Sequence, residues 1–179
     1  MEEASHKYLD CAGTRIYLLN DYLNDNQCKS LIASIKDTGQ KQNVVRMPAL
    51  AQDLWEYIGP KISEQVFFDQ RNERHFKIVA ISDHITITNN STPTPVHIDM
   101  KVRATDRFKL AFFLNKVQSG GTIFYDGIPF TGDRVKEILI PNNSGSGILF
   151  DLWLSHKGEE FVLGNKIMIG ARPIINYID

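Results

Sequence analysis

The chain has 179 residues, 42% of them hydrophobic and 23% charged, which suits one globular core and is too short for two comfortable domains, so a single domain over 1–179 is expected. Twenty Lys and Arg stand against 21 Asp and Glu for a net charge of −1, which advertises no phosphate-binding surface and makes nucleic acid an unexpected partner. Nothing of membrane-spanning length is present, no apolar signal region follows Met1-Glu2-Glu3, and the only cysteines are Cys11 and Cys28; a cytoplasmic protein with reduced thiols and no membrane partner is expected. The glycosylation-type triplets at Asn89, Asn90 and Asn142 are then chance matches.

In chain order, 25–37 reads as a helix: Asn24 caps it, Gln27 sits at the third helical position, and Cys28, Leu31, Ile32 and Ile35 form one apolar stripe. A second helical stretch is expected over 48–68, where Leu50, Leu54, Ile58, Ile62 and Val66 recur every four residues, with Pro60 interrupting or kinking it. Residues 1–70 thus read as a helical support region. From Phe76 the period changes, and strands are expected at 76–82, 84–88, 95–100, 108–114, 121–126, 135–140, 147–151, 161–163 and 166–177. Turns fall at Gly120-Gly121, Gly127, Gly132 and 142–147. The fold class is mainly β (α+β): a jelly-roll or cupin-like double-stranded β-helix barrel over 76–178, buttressed by the N-terminal helices.

His97-Ile98-Asp99 carries the chemistry. On a strand, residues i and i+2 share a face, so His97 and Asp99 can grip one ion while Ile98 packs away from it. A third ligand, His156, comes 57 residues after Asp99, on the far side of the expected barrel. Two imidazoles and one carboxylate leave open positions of the kind non-haem Fe(II) oxygenases use for a co-substrate and O2. Lys166, ten residues after His156, is placed to neutralise the distal carboxylate of 2-oxoglutarate. The plainer alternative for a His-x-Asp is a hydrogen-bonded structural histidine.

The ordered set of motifs resembles the prolyl 4-hydroxylase-like branch of the Fe(II)/2-oxoglutarate-dependent dioxygenases over most of the chain. The matching pieces are Tyr22-Leu23-Asn24-Asp25-Asn26-Gln27-Cys28 with Leu31-Ile32, the His97-Ile98-Asp99 triplet, and the run from Phe108 to Asn115. Gly120-Gly121-Thr122-Ile123-Phe124 and Gly147-Ile148-Leu149-Phe150 follow. The closing run His156-Lys157-Gly158, Val162, Gly164-Asn165-Lys166 is similar to the family's "H-x-G-x-x-V-x-x-G-x-K" with one extra residue before the valine. The family's tyrosines before the first ligand are replaced by Ile87, Thr88 and Thr94, and its strand phenol by Phe113, which can pack but cannot donate a hydrogen bond.

The resemblance implies an Fe(II)-dependent enzyme that hydroxylates a C–H bond with 2-oxoglutarate and O2 as co-substrates, releasing succinate, with ascorbate as a reductant. His97, Asp99 and His156 would hold the metal and Lys166 the co-substrate. The implied substrate is a peptidyl residue, proline first, in a protein or peptide partner; a small molecule is the alternative. Two other readings stay open: a non-catalytic jelly-roll binding protein with a vestigial metal site, and a zinc hydrolase. The nucleic-acid demethylases' "R-x-N-x-T-x-R" run is absent from Val162 to Met168.

Four further features carry both readings. The basic cluster Lys101, Arg103, Arg107 and Lys109 is expected to be a solvated strand and loop, or else a rim for an acidic substrate. The turn from Thr88 to Pro95 is a solvent loop or a lid. Trp153 is expected to pack in the core, and Arg172 to form a surface or structural ion pair before any role in the site.

Overall fold

The computed structural model describes residues 7–36, 43–90, 92–99, 101–117, 120–127, 135–160 and 164–178. The expected turn at Gly132, the strand 161–163 and Val162 lie outside them. Two strands come first, β1 (Tyr8–Cys11) and β2 (Thr14–Leu19), followed by α1 (Asp25–Lys36), β3 (Asn43–Arg46) and α2 (Pro48–Ile62). Then come β4 (Phe67–Asp69), β5 (Arg74–Asn90), β6 (Phe108–Phe113), β7 (Gly121–Asp126), β8 (Lys136–Pro141), β9 (Gly147–Asp151), β10 (His156–Gly158) and β11 (Lys166–Ile178). Helix α1 starts with the expected reciprocal cap: Asn24 Oδ1 accepts the Gln27 N–H at 3.0 Å, and Gln27 Oε1 accepts the Asn24 N–H at 2.9 Å.

The large sheet runs β1-β2-β9-β6-β11-β5-β3, with β4 also paired to β5, and the small one runs β10-β7-β8. All the ladders are antiparallel. The large sheet is covered on both faces, and the alternation of side chains assigns each residue to a layer. Leu110 and Phe112 of β6, Ile85 and Ile87 of β5 and Ile169 and Ala171 of β11 join Leu31, Leu54 and Ile58 of the helices in one core. On the opposite face Ala111, Phe113, Ile148 and Phe150 meet Phe124 and Ile140 of the small sheet. The barrel is not closed, but the architecture is a double-stranded β-helix with helices against its large sheet.

Several boundaries differ from expectation. The stretch read as helical support also contains β1 to β4, and the second helix ends at Ile62 rather than at residue 68. Pro60 lies in its last turn, and Ser63 takes the closing bond to the Gly59 carbonyl at 3.0 Å. Beyond it Phe67 joins β4, where it stacks on Phe76 across the ladder with ring centroids 5.5 Å apart. The strands expected at 76–82 and 84–88 are one strand. The break between them is a bulge: Ile85 pairs with Ala171 while Ile81 pairs with Pro173, which has no N–H to donate.

Candidate active site

Strand β5 ends at Asn90, and the chain then passes through Pro93 and Pro95, which cannot donate to a ladder. The strand expected at 95–100 is therefore replaced by an irregular segment with a single bridge. At that bridge His97 and His156 exchange both N–H···O bonds, each 2.9 Å, and the Asp99 N–H then reaches the Leu152 carbonyl at 3.1 Å. Directly opposed residues send their side chains to one face, and the two imidazoles have centroids 4.3 Å apart. His156 itself belongs to β10, and its ring stacks on Phe124 of β7 at 5.3 Å and meets Phe150 of β9 edge-on at 5.1 Å.

The hydrogen bonds behind the rings decide their tautomers. His97 Nδ1 lies 2.8 Å from the Pro95 carbonyl oxygen and His156 Nδ1 2.8 Å from that of Leu154. A carbonyl only accepts, so each Nδ1 carries a proton, and in the neutral ring this leaves the lone pair on Nε2. Burial pushes the His156 pKa down to about 4, so this buried ring is neutral at neutral pH. Asp99 Oδ1 accepts a bond from Lys109 Nζ at 2.8 Å, whereas Oδ2 is buried without a donor among the described residues and lies 3.6 Å from His156 Nε2. Burial pushes the Asp99 carboxyl up, but the charge of Lys109 above all outweighs it and leaves the pKa below the ordinary value. One ligand atom from each of His97, Asp99 and His156 lies within 4.8 Å of the others. Two unprotonated nitrogens and a donorless buried carboxylate oxygen, close together, fit a divalent cation; hydrogen bonding alone leaves Oδ2 unsatisfied.

The triad lines a cavity of about 360 Å³ between the two sheets, and Lys166 lines the same cavity. Only 4% of Lys166 is exposed, and its ammonium donates to the Gly121 carbonyl at 2.8 Å and to Thr122 Oγ1 at 3.3 Å, 5.4 Å from the centre of the Phe113 ring. Burial pushes its pKa down to about 8, against the pull of Glu159. A buried ammonium whose hydrogen-bond partners among the described residues are neutral is a ready counter-charge for a carboxylate.

No family model matches the chain, and no curated protein matches its sequence. Solved structures do match it. A prolyl hydroxylase from Trichoplax adhaerens, solved with a peptide fragment of the hypoxia inducible factor oxygen degradation domain, has a TM-score of 0.60 at 13% identity, over 91% of this chain and 84% of that one. The fold is that of the 2-oxoglutarate-dependent non-haem iron enzymes. It is shared with the viral collagen prolyl hydroxylase of Paramecium Bursaria Chlorella virus-1, with a TM-score of 0.55 at 16% identity over 98% and 96% of the two chains. The carbocyclase SnoK of nogalamycin biosynthesis also has it, at a TM-score of 0.58 and 10% identity over 92% and 82%.

Within this fold, all four residues singled out in the sequence line one cavity. Lys109 and Trp153 were misread. Lys109 belongs to no solvated cluster: it is 8% exposed and bonded to Asp99, while Arg107 binds Asp69 and Asp151 and Arg103 binds Asp106. The signal was its place in Phe108–Phe113, an otherwise apolar strand in which every residue is buried, so a lysine there has to find a partner inside. Arg172, expected in a surface or structural ion pair before any role in the site, is 2% exposed and lines the cavity from β11, two pleats beyond Met168 on the same face. Trp153, expected in the core, is 49% exposed, because the turn closed by its N–H on Asp151 Oδ1 buries Leu152 and Leu154 instead. The missing tyrosine hydroxyls have neighbours of another kind. Thr86 and Thr88 of β5 line the cavity, Ile87 faces the helices, and Thr94 Oγ1 accepts the Gly158 N–H at 2.7 Å. The segment Thr92 to Pro95 also lines the cavity, more wall than solvent loop.

Proposed function

We propose that this chain is an Fe(II)/2-oxoglutarate-dependent dioxygenase that hydroxylates a C–H bond. The observation that carries the reading is Asp99 Oδ2, which has no donor among the described residues, beside two imidazoles held by carbonyls at Nδ1, in a cavity that also buries the ammonium of Lys166. His97, Asp99 and His156 would hold the metal. Iron with 2-oxoglutarate and O2 supplies the oxidising chemistry, ending in succinate, CO2 and a hydroxylated product.

The chain's own residues do the positioning. The Pro95 and Leu154 carbonyls hold the imidazoles as metal-ready tautomers. Lys109 occupies Asp99 Oδ1, so that only Oδ2 is offered. Lys166 takes the distal carboxylate of 2-oxoglutarate, and Phe113, Ile148, Phe150 and Met168 keep the surroundings apolar. The sequence resemblance favours a peptidyl residue, proline first, as substrate. The cations deep in the cavity favour a second reading, a small molecule, and fold neighbours acting in nogalamycin biosynthesis are consistent with it.

The test is an anaerobic titration of the full chain with Fe(II), with and without 2-oxoglutarate. A weak visible charge-transfer band that needs both additions is expected, and it should disappear in the His97→Ala and His156→Ala proteins. Tight metal binding with no response to 2-oxoglutarate would instead favour a zinc hydrolase, and no binding at all would leave a non-catalytic barrel.

A further inference from the structure

Lys166 does not have its side of the cavity to itself. Its ammonium donates to the Gly121 carbonyl oxygen at 2.8 Å, and the Glu159 N–H donates to that same oxygen at 3.1 Å. One carbonyl thus ties the backbone of Glu159 to the head of the lysine. Glu159 is half-buried, lines the cavity, and acts on Lys166 with its negative charge. Among the described residues the ammonium bonds to the Gly121 carbonyl and the Thr122 hydroxyl, so the carboxylate of Glu159 is its neighbour and not its partner. The backbone here is pinned. Gly158 pairs with Thr122 in the β10–β7 ladder, and its N–H donates to Thr94 Oγ1 at 2.7 Å. The residue by which the closing sequence run exceeds its pattern falls in this same stretch, between Gly158 and Val162.

A dicarboxylate that reaches Lys166 therefore brings its distal carboxylate to an ammonium with an anion already beside it. Direct contact with the buried ammonium favours binding, and the glutamate, partly screened by solvent, opposes it by a smaller amount. Resting on the iron and 2-oxoglutarate reading, we propose that Glu159 sets the affinity of the co-substrate site: its carboxylate opposes the distal carboxylate of any dicarboxylate held by Lys166. Two consequences follow from one charge. 2-Oxoglutarate binds less tightly than Lys166 alone would allow, so loading of the site stays responsive to its concentration. Succinate, which carries the same distal group, leaves more readily. A 2-oxo acid without a distal carboxylate keeps the chelating end and lacks the group that Glu159 opposes, which supplies the control.

The experiment uses the full chain under nitrogen with Mn(II), titrated by calorimetry with 2-oxoglutarate and with 2-oxovalerate; succinate is measured by its displacement of 2-oxoglutarate. In Glu159→Gln, 2-oxoglutarate and succinate should both bind about three- to tenfold tighter, the size of one charge pair partly screened by water. The dissociation constant of 2-oxovalerate should stay that of the parent. Glutamine has the shape of the residue it replaces, and Glu159→Ala gives the same comparison should that variant not fold. Glu160→Gln, at an exposed neighbouring position, should leave all three ligands unchanged. Unaltered or weakened binding of 2-oxoglutarate to Glu159→Gln overturns the proposal and leaves the iron reading standing. A gain shared by 2-oxovalerate does the same, since it would not act on the distal carboxylate, and so does an equal gain in Glu160→Gln, which would make the effect one of net charge. Failure of the parent to bind Mn(II) and 2-oxoglutarate overturns both.

Discussion

Asp99 commits one oxygen to Lys109 and leaves the other for the proposed metal, and this division makes its substitutions unequal. Oδ1 holds the Lys109 ammonium at 2.8 Å while Oδ2 has no donor. Asp99→Asn can keep the carbonyl oxygen on Lys109 and put an amide where the metal would sit, so metal binding should be abolished with the fold largely retained. Asp99→Ala removes both and strands a buried ammonium, which costs about 3–5 kcal/mol. The expected outcome is loss of Mn(II) binding in both proteins by calorimetry, but a marked drop in the urea midpoint only for Asp99→Ala. Equal stability of the two would mean that the Lys109 pair contributes nothing. This difference was hidden in the sequence, where Lys109 read as one more basic residue in an exposed cluster; its partner is ten residues away and becomes adjacent only when β6 packs behind the triad segment.

Among the elements, those with a periodic pattern and clear punctuation were legible, and those held by distant partners were not. The 121–126 and 147–151 strands stand where expected, because glycines mark their starts and alternating or continuous apolar residues fill them. Helix α2 was overextended since Val66 keeps the spacing of four while the backbone has already turned towards β4, whose pairing with Phe76 and His75 is tertiary. The hairpin of β1 and β2 was missed because its turn is Ala12-Gly13, without the usual Asn-Gly signature. Ala12 sits there at φ 48°, in the left-handed region, with its N–H bonded to Asp126 Oδ1 of β7 at 2.6 Å. A β-carbon makes that conformation costly, and asparagine tolerates it better. Ala12→Asn should therefore stabilise the protein by about 0.5–1 kcal/mol, read as a higher urea midpoint at unchanged slope. A destabilised variant would show that the residue's small size, not its backbone conformation, is what the contact with β7 requires. The triad was legible for a different reason than the strand argument supposed: His97 and Asp99 share a site although they lie on no strand, because the bridge to His156 and the bond to Leu152 place them one after the other.

For the molecule as a whole, a site that awaits an anion is a load on the unliganded fold. Lys166 brings this into a measurable form, since its pKa is near 8 in the folded chain against the ordinary 10.5. A depressed lysine pKa means that the folded state holds its proton less firmly than the unfolded state does. Below pH 8 both states are protonated and the folded chain bears the full burial cost, about 3 kcal/mol. Between pH 8 and 10.5 the unfolded chain binds more protons, so this contribution to stability rises with pH across that window and is constant above it. Lys166→Met keeps much of the volume without the charge. It leaves the Gly121 carbonyl its bond from the Glu159 N–H at 3.1 Å, so little is stranded. The unliganded variant should be more stable than the parent at pH 7, and the difference should shrink as the pH is raised from 8 to 10. With Mn(II) and 2-oxoglutarate the order should reverse. Truncating one member of a buried charge pair costs about 2–5 kcal/mol of binding, and ligand at a hundredfold excess over its Kd is worth about 2.7 kcal/mol of stability to the parent. Paired thermal melts of both proteins, with and without ligand, at pH 7 and pH 9.5, read these differences together. A parent that is the more stable of the two without ligand would place the lysine among the residues that hold the sheets together, not among those that hold the co-substrate.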